Sequence, residues 1–581
     1  MSNTDYKTVI SEDNLIENTM ISLLSTHELP ELNIINENET FGILSIKMKK
    51  TKKTEFPTLL LFTVDITGSM NEPAYHNVSK LDVVKQTFKS MVRYMVSLDT
   101  TNIRLRVHAF NEEVEVVIDN MIVNKENEEN ILSIIQSLEA DNSTNIEKAL
   151  NYANDTITSI LEKEPNLQVS HIFMTDGDPT AGECNPSKLA NMVNNNFPNV
   201  FIGFGSTHNV LLLKKLSDYE NCDYLFVDNM EKSSLVYGET LHRYIYPALK
   251  NVEIVLDNGF IYDWKTNTWV ERLVEPIIVG EIEKIYHIKT TRPTAVCAEL
   301  YGIVCSTAEV SDPNDYNMLS GELEHLESVS IIPALINVTT NKVNDDLTKY
   351  MFRQKTLELL FEAKSIVDKP QEKLFKDELK IFFKTMRMYM KTKNLSSDKF
   401  LINLCDDISI MYNSIGTQLG MMYTTARQTS QGRQYTYIST PTCKKNREED
   451  NMNNDGNNFD DQLLTMKLTP AKLTRSRAIG KIDGSIINSN IISPPILIST
   501  HAISETDEIY NTNNMISPPS LIRGYFGNSN ENENILFNSV KNISEKLDDD
   551  CDIDKYRISN NTTSCYATPS SLNTMSQVSE L

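Results

Sequence analysis

The side chains best suited to chemistry carry oxygen and follow apolar runs of the sequence. The run over 58–64 is followed by Asp65, and Thr67 and Ser69 come next at alternate positions. A second predicted strand, over 169–175, leads directly to Asp176. A continuous apolar run of this kind is typical of a strand that is buried on both faces. The pattern therefore puts carboxylates and hydroxyls at the carboxyl ends of buried strands.

A third hydroxyl, that of Thr144, lies in a polar loop ahead of a predicted helix over 146–161. In a doubly wound sheet, the loops that follow the strand ends converge on one edge, where ligands bind. The sequence therefore predicts that two carboxylates and three hydroxyls surround one point, without His or Cys: Asp65, Asp176, Thr67, Ser69 and Thr144.

Oxygen ligands of this type favour a hard cation, Mg²⁺ or alternatively Mn²⁺ or Ca²⁺, over softer metals. Three neutral hydroxyls fill only half of an octahedral shell, so the carboxylates would act through water. One position would remain for an acidic oxygen from outside. We therefore expect a site that binds an Asp or Glu of a protein partner through the metal, without chemical turnover.

Composition and charge argue against several classes of function and location. The formal net charge is −24, from 79 acidic and 55 basic residues, which repels phosphate backbones and argues against a nucleic-acid partner. None of the eight cysteines forms a CxxC pair, so zinc ribbons, RING fingers and redox motifs find no support. The first residues lack a secretory pattern and no apolar run reaches the length of a membrane span. The expected location is cytoplasmic, either in a cell or in a virus-infected host.

The pattern of apolar and polar residues changes several times along the chain. Short apolar runs alternate with amphipathic stretches over 41–250, which predicts an α/β fold with a doubly wound, mostly parallel sheet of about six strands. The flanking regions are predicted as an N-terminal extension with a short helix near 16–24 (1–40), a small β-sandwich (251–340), a helical segment (341–430) and a low-complexity, disordered tail (431–581).

The motif Asp65-x-Thr67-x-Ser69, followed by Thr144 and then Asp176-Gly177, resembles the metal-ion-dependent adhesion site of von Willebrand factor A domains. The stretches 175–180 and 201–205 are similar to later strands of that family. The resemblance implies that the three hydroxyls contact the metal directly and that the two carboxylates act largely through water.

Two departures from the family pattern bear on the site. Thr67 stands where the family usually has Ser, which keeps the hydroxyl and adds a methyl group. Asn142 and Ser143 precede Thr144 where glycines are common, so the loop could sit differently. Asp178 is not assigned as a ligand.

The wider organisation is similar to that of intein-associated von Willebrand A proteins of eukaryotes and large DNA viruses. In these, an A domain precedes a small β domain and a helical segment, which here ends near 423–428. Some relatives carry a RING finger and act in ubiquitin transfer. This chain has no such finger, so ligase activity is not implied.

Two hypotheses remain open from the sequence. The first is a metal-dependent interaction module in a multidomain adaptor. The alternative is an enzyme, either self-processing or a metal-assisted hydrolase, or else a ubiquitin-pathway component lacking its RING. Hydrolytic metal sites usually add His or further carboxylates with a nearby base, which favours binding. His171 is interpreted as a core residue and His208 as a loop residue, although His208 could face the crevice.

Two near-copies in the tail, over 492–498 and 516–522, each place a Ser-Pro-Pro segment beside apolar residues. Docking peptides, phosphorylation sites and chance repetition in a biased segment all remain open for them.

Overall fold

The computed structural model describes residues 15–24, 29, 32–54, 56–75, 78–100, 102–205, 208–227, 233–306, 330–333, 335–336, 345–366, 369–441, 551–559 and 563–580. Its strands are β1 (Ile16–Leu23), β2 (Thr40–Met48), β3 (Thr58–Asp65), β4 (Pro73–Tyr75), β5 (Val78–Ser79), β6 (Ile103–Phe110), β7 (Val114–Ile122), β8 (Gln168–Thr175), β9 (Asn199–Phe204), β10 (Cys222–Val227), β11 (Pro247–Asp257), β12 (Phe260–Asp263), β13 (Thr268–Val270), β14 (Arg272–Val279), β15 (Glu283–Thr290), β16 (Cys297–Val304), β17 (Ser330–Pro333) and β18 (Leu335–Ile336). Its α-helices are α1 (Lys80–Ser97), α2 (Glu128–Gln136), α3 (Ile146–Lys163), α4 (Pro186–Ala190), α5 (Val210–Leu216), α6 (Ser233–Ile245), α7 (Asp345–Ala363), α8 (Lys369–Thr392), α9 (Lys399–Ser414), α10 (Gln418–Arg433) and α11 (Pro569–Glu580).

Strand β3 is the centre of a six-stranded sheet with the order β10-β9-β8-β3-β6-β7. It pairs in parallel with β6 on one side and with β8 on the other, and every one of its residues is buried. Only β7, at the edge, runs antiparallel to its neighbour. The prediction of a mostly parallel α/β sheet of about six strands is confirmed.

The chain leaves β3 in one direction towards β6 and later returns on the other side as β8. A crevice at the carboxyl ends of β3 and β8 is therefore the topological switch point, where ligands bind in such sheets. Helix α1 begins beside it with a capping box between Ser79 and Asp82. Helix α3 begins there as well, because the side chain of Asn145 accepts a hydrogen bond from the backbone N–H of Lys148.

The β-rich part contains two sheets, with the orders β13-β12-β15-β2-β1-β18 and β14-β11-β16-β17. Side chains from both share one buried cluster, including Leu44 and Ile46 of β2 and Ile254 and Leu256 of β11. A β-sandwich is therefore present, as expected, but it is larger than the predicted segment 251–340. It also takes in strands from the beginning of the chain.

The N-terminal region differs from its prediction in two ways. Residues 16–23 form a strand, not a short helix, because β1 pairs antiparallel with β2. Strand β2 in turn pairs with β15 from Glu283 to Thr290, so 41–48 belongs to the sandwich and not to the α/β domain. The α/β domain is thus inserted between two neighbouring strands of one sheet.

The predicted helical segment 341–430 forms α7 to α10, and its last helix continues to Arg433. The last part of this segment is divided into two helices, α9 and α10. The side chain of Thr417 accepts a hydrogen bond from the backbone N–H of Gly420, which starts α10 as a separate helix. A buried ion pair between Arg427 and Asp407 joins the two helices.

The predicted tail over 431–581 is described only near its two ends. Residues 551–559 and 563–580 are structured, which differs from the expected disorder, because α11 packs against α6 and α1. Met575 and Val578 are buried there, and a Cβ atom on Gly238 of α6 would lie 2.8 Å from the Cα of Met575. Residues 442–550, with both Ser-Pro-Pro segments, lie outside the described residues. Among the helices that the structure describes, none is long and apolar enough to cross a membrane.

Candidate metal-binding site

Asp65, the last residue of β3, is fully buried and joins two neighbouring segments. Its Oδ1 accepts a hydrogen bond of 2.9 Å from the backbone N–H of Thr67. Its Oδ2 accepts a hydrogen bond of 2.6 Å from the hydroxyl of Thr175 at the end of β8. The carboxylate therefore fixes both the turn after β3 and its distance from β8.

The hydroxyls of Thr67 and Ser69 face the same crevice. Their Oγ1 and Oγ atoms lie 3.1 Å apart, and Ser69 donates a hydrogen bond of 2.7 Å to Oδ1 of Asp176. Thr67 thus brings its hydroxyl to the site despite its additional methyl group. The first two hydroxyls and both carboxylates meet at one point, as the sequence predicts.

Thr144 reaches this point from the loop before α3. A Cβ atom built on Gly177 would lie 3.6 Å from the Ser69 Oγ and 3.8 Å from the Thr144 Oγ1, so both hydroxyls border this glycine. The loop is held by a hydrogen bond of 2.8 Å from the Thr144 backbone N–H to the hydroxyl of Thr180. All five residues singled out from the sequence therefore lie around one crevice.

The second departure from the family pattern has a structural explanation. Asn142 has a φ of +68°, in the left-handed region that glycine adopts readily and that Asn tolerates better than most residues. Its carbonyl also accepts a hydrogen bond of 3.1 Å from the backbone N–H of Gly68. Asn142 can therefore take the backbone conformation for which glycine is suited and still hold the loop against the turn after β3.

Lys80, the first residue of α1, is a member of the site that the sequence analysis did not identify. Its Nζ lies 2.6 Å from Oδ2 of Asp176 and 2.8 Å from Oε2 of Glu72. Burial alone would lower the pKa of Lys80, but its hydrogen bonds with Asp176 and Glu72 outweigh burial and raise it. The sequence contains one indication of this role. A cation in the first turn of a helix is unfavourable beside the helix dipole, so it needs an anionic group nearby.

Burial also governs the other titrating groups nearby. It raises the pKa of Asp65 to about 6, against the lowering effect of hydrogen bonds from Thr175 and Thr67. It lowers the pKa of His208 to about 4. The two ring nitrogens of His208 are engaged by the carbonyl of Gly205 and the hydroxyl of Tyr224, so His208 is a buried structural residue and not a surface one.

Two further residues lie where the sequence analysis put them. His171 is buried, and its ring nitrogens contact the Thr63 hydroxyl and the Asn199 side chain at 2.9 Å each, as befits a core residue. Asp178 is exposed.

The donor set fits a hard cation. It consists of oxygen atoms alone, two from carboxylates and three from hydroxyls, which is the chemistry that Mg²⁺, Mn²⁺ and Ca²⁺ prefer. The carboxylates are already oriented by hydrogen bonds from Thr67, Thr175 and Ser69, so they need little rearrangement. A cationic group, the ammonium of Lys80, already contacts one of them.

Residues 60–178 match the family model described as von Willebrand factor type A domain, and this stretch contains all five of the converging residues. The chain carries a von Willebrand factor type A domain. The match starts within β3 and ends two residues beyond Asp176. The A domain is thus the part of the chain that contains the crevice.

Known proteins similar to this chain include one curated relative and several solved structures. Inter-alpha-trypsin inhibitor heavy chain H3 from Pongo abelii is 26% identical over 226 residues, which cover 37% of this chain and 24% of that relative. A von Willebrand factor type A structure from Catenulispora acidiphila is 12% identical, with a TM-score of 0.41, covering 70% of this chain and 89% of that one. Proximal thread matrix protein 1 from the mussel byssus, in a form with a zinc-occupied MIDAS motif, is 20% identical with a TM-score of 0.26, covering 32% and 48%. The chain therefore spans about a quarter of the curated relative.

Proposed function

We propose that the A domain binds a divalent cation, Mg²⁺ or alternatively Mn²⁺ or Ca²⁺, and uses it to hold an acidic side chain of a protein partner without turnover. The observation that carries this proposal is the convergence of three hydroxyls and two carboxylates at the switch point of the sheet. Such a crevice is the usual ligand site of an open α/β sheet.

Each residue has a separate role in this proposal. The hydroxyls of Thr67, Ser69 and Thr144 would contact the cation, and Asp65 and Asp176 would orient its water ligands. Because the direct contacts are neutral, the bound cation would supply an electrophilic centre for one further anionic ligand. An Asp or Glu of a partner is the matching group.

The surroundings favour binding over catalysis. Metal-assisted hydrolysis needs a general base within reach of the metal-bound water. The imidazole of His208 is engaged at both ring nitrogens, and Lys80 is held between two carboxylates. Neither side chain is therefore available as a base in the part of the chain that the structure describes.

Binding of Mn²⁺ to the full chain, followed by electron paramagnetic resonance and in competition with Mg²⁺, tests the metal part. Thr144→Val removes one hydroxyl with little change in volume, and Ser143→Ala in the same loop is the matched control. We expect Thr144→Val to weaken Mn²⁺ binding by about 100-fold or more, because even loss of a group that only supports a metal ligand weakens binding about 10–100-fold. Equal binding by the two variants and the unsubstituted chain would exclude this site.

The acidic-ligand part has a separate test. The blocked amino acids N-acetyl-aspartate methylamide and N-acetyl-asparagine methylamide differ only in the carboxylate. We expect the Mn²⁺-loaded chain to broaden the proton resonances of the aspartate probe much more than those of the asparagine probe, and EDTA to abolish the difference. Equal broadening of both probes would count against recognition of an acidic side chain.

A further inference from the structure

Lys80 is held at the crevice from both sides. Its ammonium contacts Asp176 at 2.6 Å and Glu72 at 2.8 Å, and its backbone N–H donates to the carbonyl of Glu72 at 3.1 Å. The Lys80 side chain is 9% exposed, whereas that of Glu72 is 63% exposed. The contact with Asp176 is therefore the shielded one, and water screens the contact with Glu72.

This contact changes the charge of the proposed metal site. The two carboxylates, Asp65 and Asp176, would together balance a divalent cation. The ammonium of Lys80 offsets one of these negative charges from a distance at which shielded charges interact strongly. His208, the other titratable side chain near Asp176, carries no charge at neutral pH because burial lowers its pKa to about 4. A bound divalent cation would then leave one surplus positive charge among the shielded groups of the crevice, because the carboxylate of Glu72, which pairs with Lys80, is exposed to water and screened.

Building on the proposed function, we propose that Lys80 strengthens the dependence of metal binding on the acidic partner. When no partner is bound, the charge of Lys80 weakens the binding of the metal cation, because two positive groups then share the carboxylate of Asp176. The partner's carboxylate supplies the missing negative charge, so metal and partner each strengthen the binding of the other. This reciprocity follows from linkage between two ligands.

The decisive variants change only the cation at this position. Lys80→Met keeps an unbranched apolar stem and removes the charge, whereas Lys80→Arg keeps the charge. Lys89→Met removes one charge from the same helix and is the matched control. Among the described residues, Lys89 forms no hydrogen bond or ion pair with the crevice. A thermal melt of each full-length variant identifies any variant that fails to fold, and Lys80→Gln, which also removes the charge, then replaces Lys80→Met.

Two dissociation constants are measured for each variant: Mn²⁺ with and without N-acetyl-aspartate methylamide. We expect the probe to tighten Mn²⁺ binding of the unsubstituted chain by about 5-fold or more, at the lower end of common coupling factors. Lys80→Met should bind Mn²⁺ about 10-fold more tightly without the probe and show a smaller coupling factor than the unsubstituted chain, whereas Lys80→Arg and Lys89→Met should retain the full coupling.

The outcomes separate this inference from the function on which it rests. If the unsubstituted chain and Lys80→Met bind Mn²⁺ equally and show the same coupling, the role of Lys80 is overturned while the metal site stands. If no variant binds Mn²⁺, the proposed function itself fails. If only Lys80→Met binds Mn²⁺, the opposition between lysine and metal is supported, and the unsubstituted chain is not a metal-dependent binder.

Discussion

The hydroxyl of Thr175 donates a hydrogen bond of 2.6 Å to Oδ2 of Asp65, across the ends of the two strands that form the crevice. The same hydroxyl oxygen accepts a bond of 3.3 Å from the backbone N–H of Gly177. Thr175 therefore links the carboxylate that ends β3 to the turn that carries Asp176. It contributes no proposed metal ligand of its own.

Replacing Thr175 tests whether this link organises the site. Thr175→Val removes the hydroxyl and leaves one oxygen of the buried Asp65 carboxylate without its donor. We expect Mn²⁺ affinity to fall about 10–100-fold, the usual effect of losing a group that orients a metal ligand. Thr175→Ser keeps the hydroxyl and should bind within a few-fold of the unsubstituted chain. Equal Mn²⁺ affinity of the Val and Ser variants would contradict an orienting role.

A second prediction concerns the buried ion pair between the A domain and the helical segment. Asp223 of β10 lies 2.9 Å from Nε of Arg433, and both side chains are at most 4% exposed. Asp223→Asn should lower the free energy of unfolding by about 3–5 kcal/mol, because Asp223 is the counter-charge of two buried guanidiniums. Its loss leaves Arg243 without this ion pair, while Arg433 keeps only its pair with Glu275. Glu17→Gln, which breaks the half-exposed pair with Lys47, should change it far less, because water screens this pair. Urea unfolding of both variants measures the difference.

The same pair predicts a dependence on pH. Burial would raise the pKa of Asp223, but the charges of Arg433 and Arg243 outweigh it and hold the pKa below its ordinary value. A group with a lowered folded-state pKa stabilises the fold above its unfolded-state value, about 3.9 for Asp, and loses that effect as pH falls. The difference in stability between the unsubstituted chain and Asp223→Asn should therefore be constant near neutral pH and shrink below about pH 4. A constant difference down to acid pH would show that the effect is not ionic.

A third prediction concerns the C-terminal helix. Met575 of α11 is 1% exposed against α6, whereas Leu572 on the same helix is 39% exposed. Met575→Ala should lower the free energy of unfolding by about 2–5 kcal/mol, the usual effect of truncating a core side chain. Leu572→Ala should have a much smaller effect. If the two variants unfold at the same urea concentration, α11 does not contribute to the stability of the A domain.

The predicted site depends mainly on one rule of chain geometry. Strand ends in a doubly wound sheet share an edge, so two predicted strands, one followed by Asp65 and the other by Asp176, suffice to bring the two carboxylates together. Hydroxyls at alternate positions follow from the same reasoning. The roles of Thr175 and Lys80 could not be predicted in this way, because each depends on which side chain a strand or helix end turns towards the crevice.

The remaining differences involve pairing between distant segments. Nothing in residues 16–23 indicates that their partner is β2, or that β2 has β15 as its other neighbour. Helix α11 similarly packs on a helix more than three hundred residues earlier in the chain. Local periodicity predicts the type of an element, but pairing at such separation is decided by which surfaces remain apolar after the nearer elements have packed.

The insertion of the A domain between β2 and β15 also sets an order of events during synthesis. Strand β2 ends at Met48, but β15 begins only at Glu283. At about 5–20 residues per second, a ribosome needs on the order of 10–50 s to cover that interval. Throughout it, one edge of the β1–β2 hairpin presents unpaired backbone groups, the feature through which strands of different chains associate. Domains generally fold as units during synthesis, so we expect a stage at which the crevice of the A domain has formed and the sandwich still lacks β15.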